Sequence, residues 1–142
     1  MNKSPLVIVD ADIIVAQAYI DDANHSKTLL QVKKLAKNGA HILFPSTAVT
    51  EAITVIQRKL SNPHLAAATL ELFSDPNMLI ETVDAEIIYQ AQKYFNPNGS
   101  KKNTFFDCVV AAIAKKHQAD AIFSFDGWYE KLGFTLVSHL DF

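Results

Sequence analysis

The chain has 142 residues, 49% of them apolar and 20% charged, with a formal net charge of −2. That length and balance fit one folded domain, 1–142, with a single sizeable core, and exclude a disordered tail or a chain wrapped in a global positive field. The single cysteine, Cys108, excludes an internal disulfide or a thiolate zinc site, and no run approaches the roughly 20 apolar residues of a membrane span.

The first element is "PLVIVD" (5–10), a short Val- and Ile-rich run that reads as a strand; Asp10 and Asp12, which interrupt the apolar stretch, and the lack of a cleavage pattern argue against a signal peptide, so a cytoplasmic protein is expected. Apolar positions three and four apart predict helices over 12–21 and 25–38, the second stopped by Asn38-Gly39. "HILF" (41–44) is a strand, and Pro45-Ser46-Thr47 starts a helix over 46–61. Ser61-Asn62-Pro63 breaks it from a helix over 63–74, followed by a strand at "MLIETV" (78–83) and a helix over 84–95. The loop "NPNGSKKN" (96–103) leads to a helix over 104–118, strands at "DAIFSF" (120–125) and "FTLV" (134–137), and a short helix at 127–132 between them. Strands alternating with helical crossovers predict an α/β fold: a three-layer α/β/α sandwich with a mainly parallel sheet of about five strands.

In such sheets ligands bind outside the carboxyl ends of the strands, which directs attention to acids placed there. Asp10 closes the first strand, and either it or Asp12 can cap the helix that follows; Asp12 is the better cap and Asp10 the better site residue, because Asp10 ends a buried strand. Glu51 lies on the margin of the apolar face made by Val49, Ile53, Ile56 and Leu60. Asp107 shares its helical stripe with Val110, Ala111 and Ala114, and it also fits a capping box with Thr104. Asp126, in a D-G turn after the fourth strand, could serve only as a cap. Each acid has an ordinary explanation alone, but four converging on one sheet edge would repel one another unless cations lie among them. Oxygen-only ligands select a hard ion, Mg²⁺ or Mn²⁺, one or two of them, whose commonest employment is phosphate chemistry.

The ordered set "VIVDADIIV", "AVTEAI" and "FFDCVVAAIAKKHQADAIFSFD" resembles the PIN-domain ribonucleases, especially the VapC-like toxins of prokaryotic toxin–antitoxin pairs, over nearly the whole chain. The resemblance implies a PIN-like fold and metal-dependent hydrolysis of RNA phosphodiester bonds. It implies Asp10, Glu51, Asp107 and Asp126 as the metal-binding quartet, with Asp10 and Asp107 as principal ligands, and Ser124 as the hydroxyl that helps order the site. Asp12 stands where that family more often has Asn or Ser, so it is a candidate additional acid, and Phe125 replaces a residue that is often polar. The resemblance further implies a cognate antitoxin protein and a homodimer, for which helices 63–74 and 84–95 could supply the surface. Lys101, Lys102 and Trp128, together with Tyr129 as a second stacking surface, are the candidate RNA contacts.

Two rivals differ in class. "VIVDAD" also resembles the opening of haloacid-dehalogenase-like phosphatases, but Ile14 stands where those have Thr, and no Gly-Asp pair with a following acid closes the site. A catalytically silent PIN-like interaction scaffold is the other, and a scaffold has no reason to keep four mutually repelling acids.

Overall fold

The computed structural model describes residues 4–142. Among these, the apolar runs form four strands, β1 (Leu6–Val9), β2 (His41–Pro45), β3 (Leu79–Glu81) and β4 (Ala121–Phe123). The periodic segments form seven α-helices, α1 (Ala11–Ala18), α2 (His25–Lys37), α3 (Ser46–Arg58), α4 (Pro63–Leu72), α5 (Ala85–Ala91), α6 (Phe105–Lys116) and α7 (Trp128–Lys131). Every strand pairing is parallel, in the order β3-β2-β1-β4, with Ile8 opposite both Leu43 and Ile122.

The central strand explains the apolar density of residues 6–9. Val7 and Val9 pack with Ala121 and Phe123 under α1 to α4, meeting Ile13, Leu35, Ala52 and Ile56. Ile8 and Ile122 point the other way, onto Ile87 of α5, Val110 and Ile113 of α6, and Tyr129 of α7. A strand covered on both faces cannot alternate apolar with polar, because each side chain that leaves water contributes about 1.5–3 kcal/mol whichever way it points. The expected three layers are therefore present.

Local chemistry sets the helix ends. Asn62 Oδ1 accepts the Leu65 N–H at 3.0 Å with Pro63 at the first helical position, which starts α4. Gly39, at φ 65°, ends α2 with the Ala40 N–H returned to Leu35 O at 3.0 Å. Gln118 adopts the same left-handed conformation after α6, at φ 49°, with Ala119 N–H bonded to Ala114 O at 2.9 Å.

Two expectations need correction. The predicted fifth strand at 134–137 is a single parallel bridge, Ile122 to Leu136, followed by a 3₁₀ turn over Val137–His139. Gly133, at φ 97°, turns the chain out of α7, and the returning segment meets β4 at that one bridge, where the Ile122 N–H bonds to Thr135 O at 2.8 Å. The helix predicted over 84–95 is α plus a 3₁₀ turn at Gln92–Tyr94.

Candidate active site

The strand order reverses beside β1: β2 and β3 lie to one side and β4 to the other, so a crevice opens at the carboxyl ends of β1 and β4. Asp10 follows β1 directly and Ser124 follows β4, which places both at that crevice although 114 residues separate them.

Asp10 continues the sheet with its backbone, donating its N–H to Phe123 O at 3.0 Å. Its side chain is buried, with Oδ1 accepting the Ala11 N–H at 2.7 Å and Oδ2 accepting the Tyr129 hydroxyl at 2.7 Å. Asp10 therefore caps α1 as well as facing the crevice, correcting the assignment of the cap to Asp12. Asp12 is exposed over its outer surface, but its Oδ2 turns toward the segment after β4, accepting the Phe125 N–H at 2.9 Å and lying 3.1 Å from Ser124 Oγ. Ser124 Oγ also lies 3.2 Å from Asp10 Oδ2 and accepts the Asp126 N–H at 3.0 Å. A hydroxyl carries one proton, so it serves one aspartate at a time.

Asp107 sits in the first turn of α6, where its Oδ2 accepts the Thr104 N–H at 2.9 Å as in a capping box. Its Oδ1 faces the Tyr129 hydroxyl at 3.4 Å. The capping box is thus present, and the same side chain turns its other oxygen toward the crevice. Asp126 Oδ1 accepts the Trp128 N–H at 2.9 Å, and its Oδ2 accepts Asn103 Nδ2 at 2.7 Å, fastening the end of the 96–103 loop to the segment after β4. Glu51, half-buried on α3, approaches closely enough to feel the charges of Asp107 and Asp12.

The electrostatics record that crowding. Burial, then Asp12 and Asp107, push the Asp10 carboxyl well above its ordinary range, against the opposing bonds from Tyr129 and Ala11. Enclosure of its carboxylate tip holds Asp12 up to about 6. Burial, with Asp107 and Asp12 adding, holds Glu51 up to about 7, and burial together with Asp126 raises Asp107. No cationic side chain enters the group by hydrogen bond or ion pair among the described residues; Lys59 acts only at a distance, on Glu51.

The donors are all hard oxygen atoms, which suits Mg²⁺ or Mn²⁺. No three His, Cys, Asp or Glu side chains among the described residues close around one point. Magnesium does not require them to, because it keeps several waters and takes one or two carboxylates directly. The donor set therefore fits the ion that the sequence implies.

Sequence reasoning missed two residues. Tyr129, expected as a stacking surface, has 0% exposure and instead serves the acids from below. Asn103 lay unremarked in a loop; the visible signal was an amide just before a capping threonine and an acid. Lys101 and Lys102 are exposed and Trp128 is half-buried; Lys102 and Trp128 line a cavity that Asp126 also lines.

The family model described as the PIN domain matches residues 7–134. The chain belongs to the PIN-domain family. This PIN domain resembles VapC20 of Mycobacterium tuberculosis, a sarcin-ricin loop cleaving toxin, at TM-score 0.76 and 20% identity over 91% of this chain and 96% of that one. It also resembles VapBC2 of Rickettsia felis, solved bound to a DNA fragment from its promoter, at TM-score 0.65 and 14% identity over 92% and 96%. FitAcB of Neisseria gonorrhoeae is also similar, at TM-score 0.62 and 16% identity over 94% and 99%. A comparison with curated proteins gives no significant match. At these identities the likeness is one of fold, and no helix of this PIN domain's described residues is long and apolar enough to cross a membrane.

Proposed function

We propose that this PIN domain is a metal-dependent endoribonuclease that hydrolyses RNA phosphodiester bonds, the toxin of a toxin–antitoxin pair acting in the cytoplasm. The observation that carries this reading is the Tyr129 hydroxyl between Asp10 and Asp107, two carboxylates from different elements brought together with Asp12, Glu51 and Asp126 nearby. Such concentrated negative charge costs folding free energy and gains meaning only where a cation is held. Membership of the PIN family and the fold shared with a sarcin-ricin loop cleaving toxin support RNA as the substrate.

Asp10 and Asp107 would hold one Mg²⁺ or Mn²⁺ directly, with Glu51 and Asp126 completing one or two ion sites through water. When bound, the ion supplies positive charge for the phosphate and lowers the pKa of a water. The protein's own part is positional. β1 fixes Asp10, the first turn of α6 fixes Asp107, and the Tyr129 proton holds the Asp10 oxygen in place. Ser124 and Asp12 lock the segment that carries Asp126. Glu51 brings a further carboxylate from α3 to the same crevice, close to Asp107 and Asp12.

A cognate antitoxin covering the acids with basic side chains is the expected partner, in keeping with the VapBC2 assembly. A homodimer is expected through α4 and α5, which expose Leu70, Leu72, Ile88 and Tyr89. The deciding experiment is cleavage of structured and unstructured RNA pools with Mg²⁺, Mn²⁺ or EDTA, comparing the native chain with Asp10→Asn and Asp107→Asn. Metal-dependent cleavage lost in both variants supports the reading. Absence of cleavage with no cation effect on melting overturns it in favour of a silent scaffold.

A further inference from the structure

Beside the acids lies a second feature of different chemistry. A cavity of about 540 Å³ opens between the 3₁₀ turn after α5, the 96–103 loop and the segment leading into α7. Its walls carry three aromatic rings, Tyr94, Phe95 and Trp128, and two lysines, Lys102 and Lys131, around Asp126. Phe95 is 49% exposed, with its ring packed edge-on against Phe105 at 5.7 Å and so held in place at the cavity wall. Both lysines are exposed, and none of the ion pairs among the described residues uses them. Asp126 has both carboxylate oxygens engaged by Trp128 and Asn103, so it braces the wall.

Flat aromatic surfaces offer stacking to a base, and ammonium groups at the rim offer contacts to phosphate. A base within an A-form helix is covered on both faces and cannot enter such a cavity, whereas an unstacked base can. A basic protein segment would be repelled by Lys102 and Lys131. Because Asp126 belongs both to this cavity and to the acid group, an occupant lies next to the reacting phosphate. We propose that the cavity binds one unpaired nucleotide of the RNA adjoining the cleaved bond, its base against Phe95 and Trp128 and its phosphate at Lys102 and Lys131. The cavity thereby fixes where the RNA strand sits relative to the acids, a proposal that rests on the ribonuclease reading above.

Trp128 is the only tryptophan in the chain, so its emission reports the cavity directly. The test titrates the native protein, in Ca²⁺, with an end-labelled phosphorothioate RNA hexamer of mixed sequence, its duplex, and the four mononucleotides. Hexamer anisotropy is read beside Trp128 fluorescence. The expected result is saturable quenching by the hexamer and none by the duplex. Losing a stacking face in Phe95→Ala should weaken hexamer affinity about tenfold. The Lys102→Ala/Lys131→Ala double variant, altered only at exposed positions, should weaken it by a similar factor and steepen no melting curve. If RNA binds or is cleaved but Trp128 emission stays constant and the lysine variant binds normally, the cavity proposal falls while the ribonuclease reading stands. Mononucleotides that quench as tightly as the hexamer overturn it in favour of a free-nucleotide site. Failure of RNA both to bind and to be cleaved in Mg²⁺ overturns both.

Discussion

Tyr129 donates its phenolic proton to Asp10 across 2.7 Å, from a ring with no exposed surface. Removing only that oxygen, in Tyr129→Phe, keeps the packing against Trp128 and leaves the buried carboxylate without its best donor. An orphaned buried partner costs about 1–3 kcal/mol. We expect a lower Tm in EDTA and a higher Mg²⁺ concentration for half-maximal cleavage, both measurable on one preparation. Unchanged values for both would show that the hydroxyl neither supports the fold nor orients Asp10.

Stability should run against the usual direction for acids. Asp12 is held up to about 6 from 3.8 and Glu51 up to about 7 from 4.5, so between those values the folded chain keeps protons that the unfolded chain has lost. A raised acid contributes its stability fully below the unfolded pKa and loses it as pH rises through the folded one, so Tm in EDTA should fall between about pH 4 and pH 7 and level off above. Glu51→Gln should flatten the upper part of that fall, and Mg²⁺ should oppose it by favouring the ionised carboxylates. A profile equally steep in Glu51→Gln would assign the slope to other groups.

Asp12 can be assigned by two substitutions. Its Oδ2 accepts the Phe125 N–H, and an asparagine oxygen can do the same. Asp12→Asn should therefore melt close to the native chain, whereas Asp12→Ala should lose about 1–3 kcal/mol. If Asp12→Asn nevertheless abolishes cleavage, as Asp10→Asn should, the fifth acid acts through its charge rather than as a brace.

The Asn103 amide fastens the loop to Asp126 by a 2.7 Å bond and also reaches the Asp107 carboxyl. Asn103→Asp replaces that donor with a like charge and should release residues 96–103. Trypsin should then cut at Lys101 and Lys102 several times faster than in the native protein, with the rest of the chain still protected. Equal digestion rates would show that other contacts hold the loop.

The crevice was legible because its acids interrupt apolar patterns: Asp10 ends a run that must be buried on both faces, and Asp107 sits among Val110, Ala111 and Ala114. Tyr129 was misread because a tyrosine after a D-G turn looks alike whether its ring packs inward or outward, and only the long-range packing of α7 under β4 decides. The division of labour between Asp10 and Asp12 was hidden for a similar reason. Both suit a helix start, and the partner that claims Asp12, the Phe125 N–H, lies 113 residues away. "FTLV" has strand composition, but a strand needs a neighbour over several residues, and Gly133 brings the chain back for one.

The central strand is made first, yet its neighbour on one side is β4, and the acids it presents are completed by Asp107, Ser124, Asp126 and Tyr129. During synthesis, the nascent chain must therefore leave the β4 edge of β1 unpaired until residues 121–123 leave the ribosome. A polypeptide released before that point has neither a closed sheet nor a complete crevice. The acid crevice is thus completed only by residues 121–129, more than a hundred positions after the strand that carries Asp10.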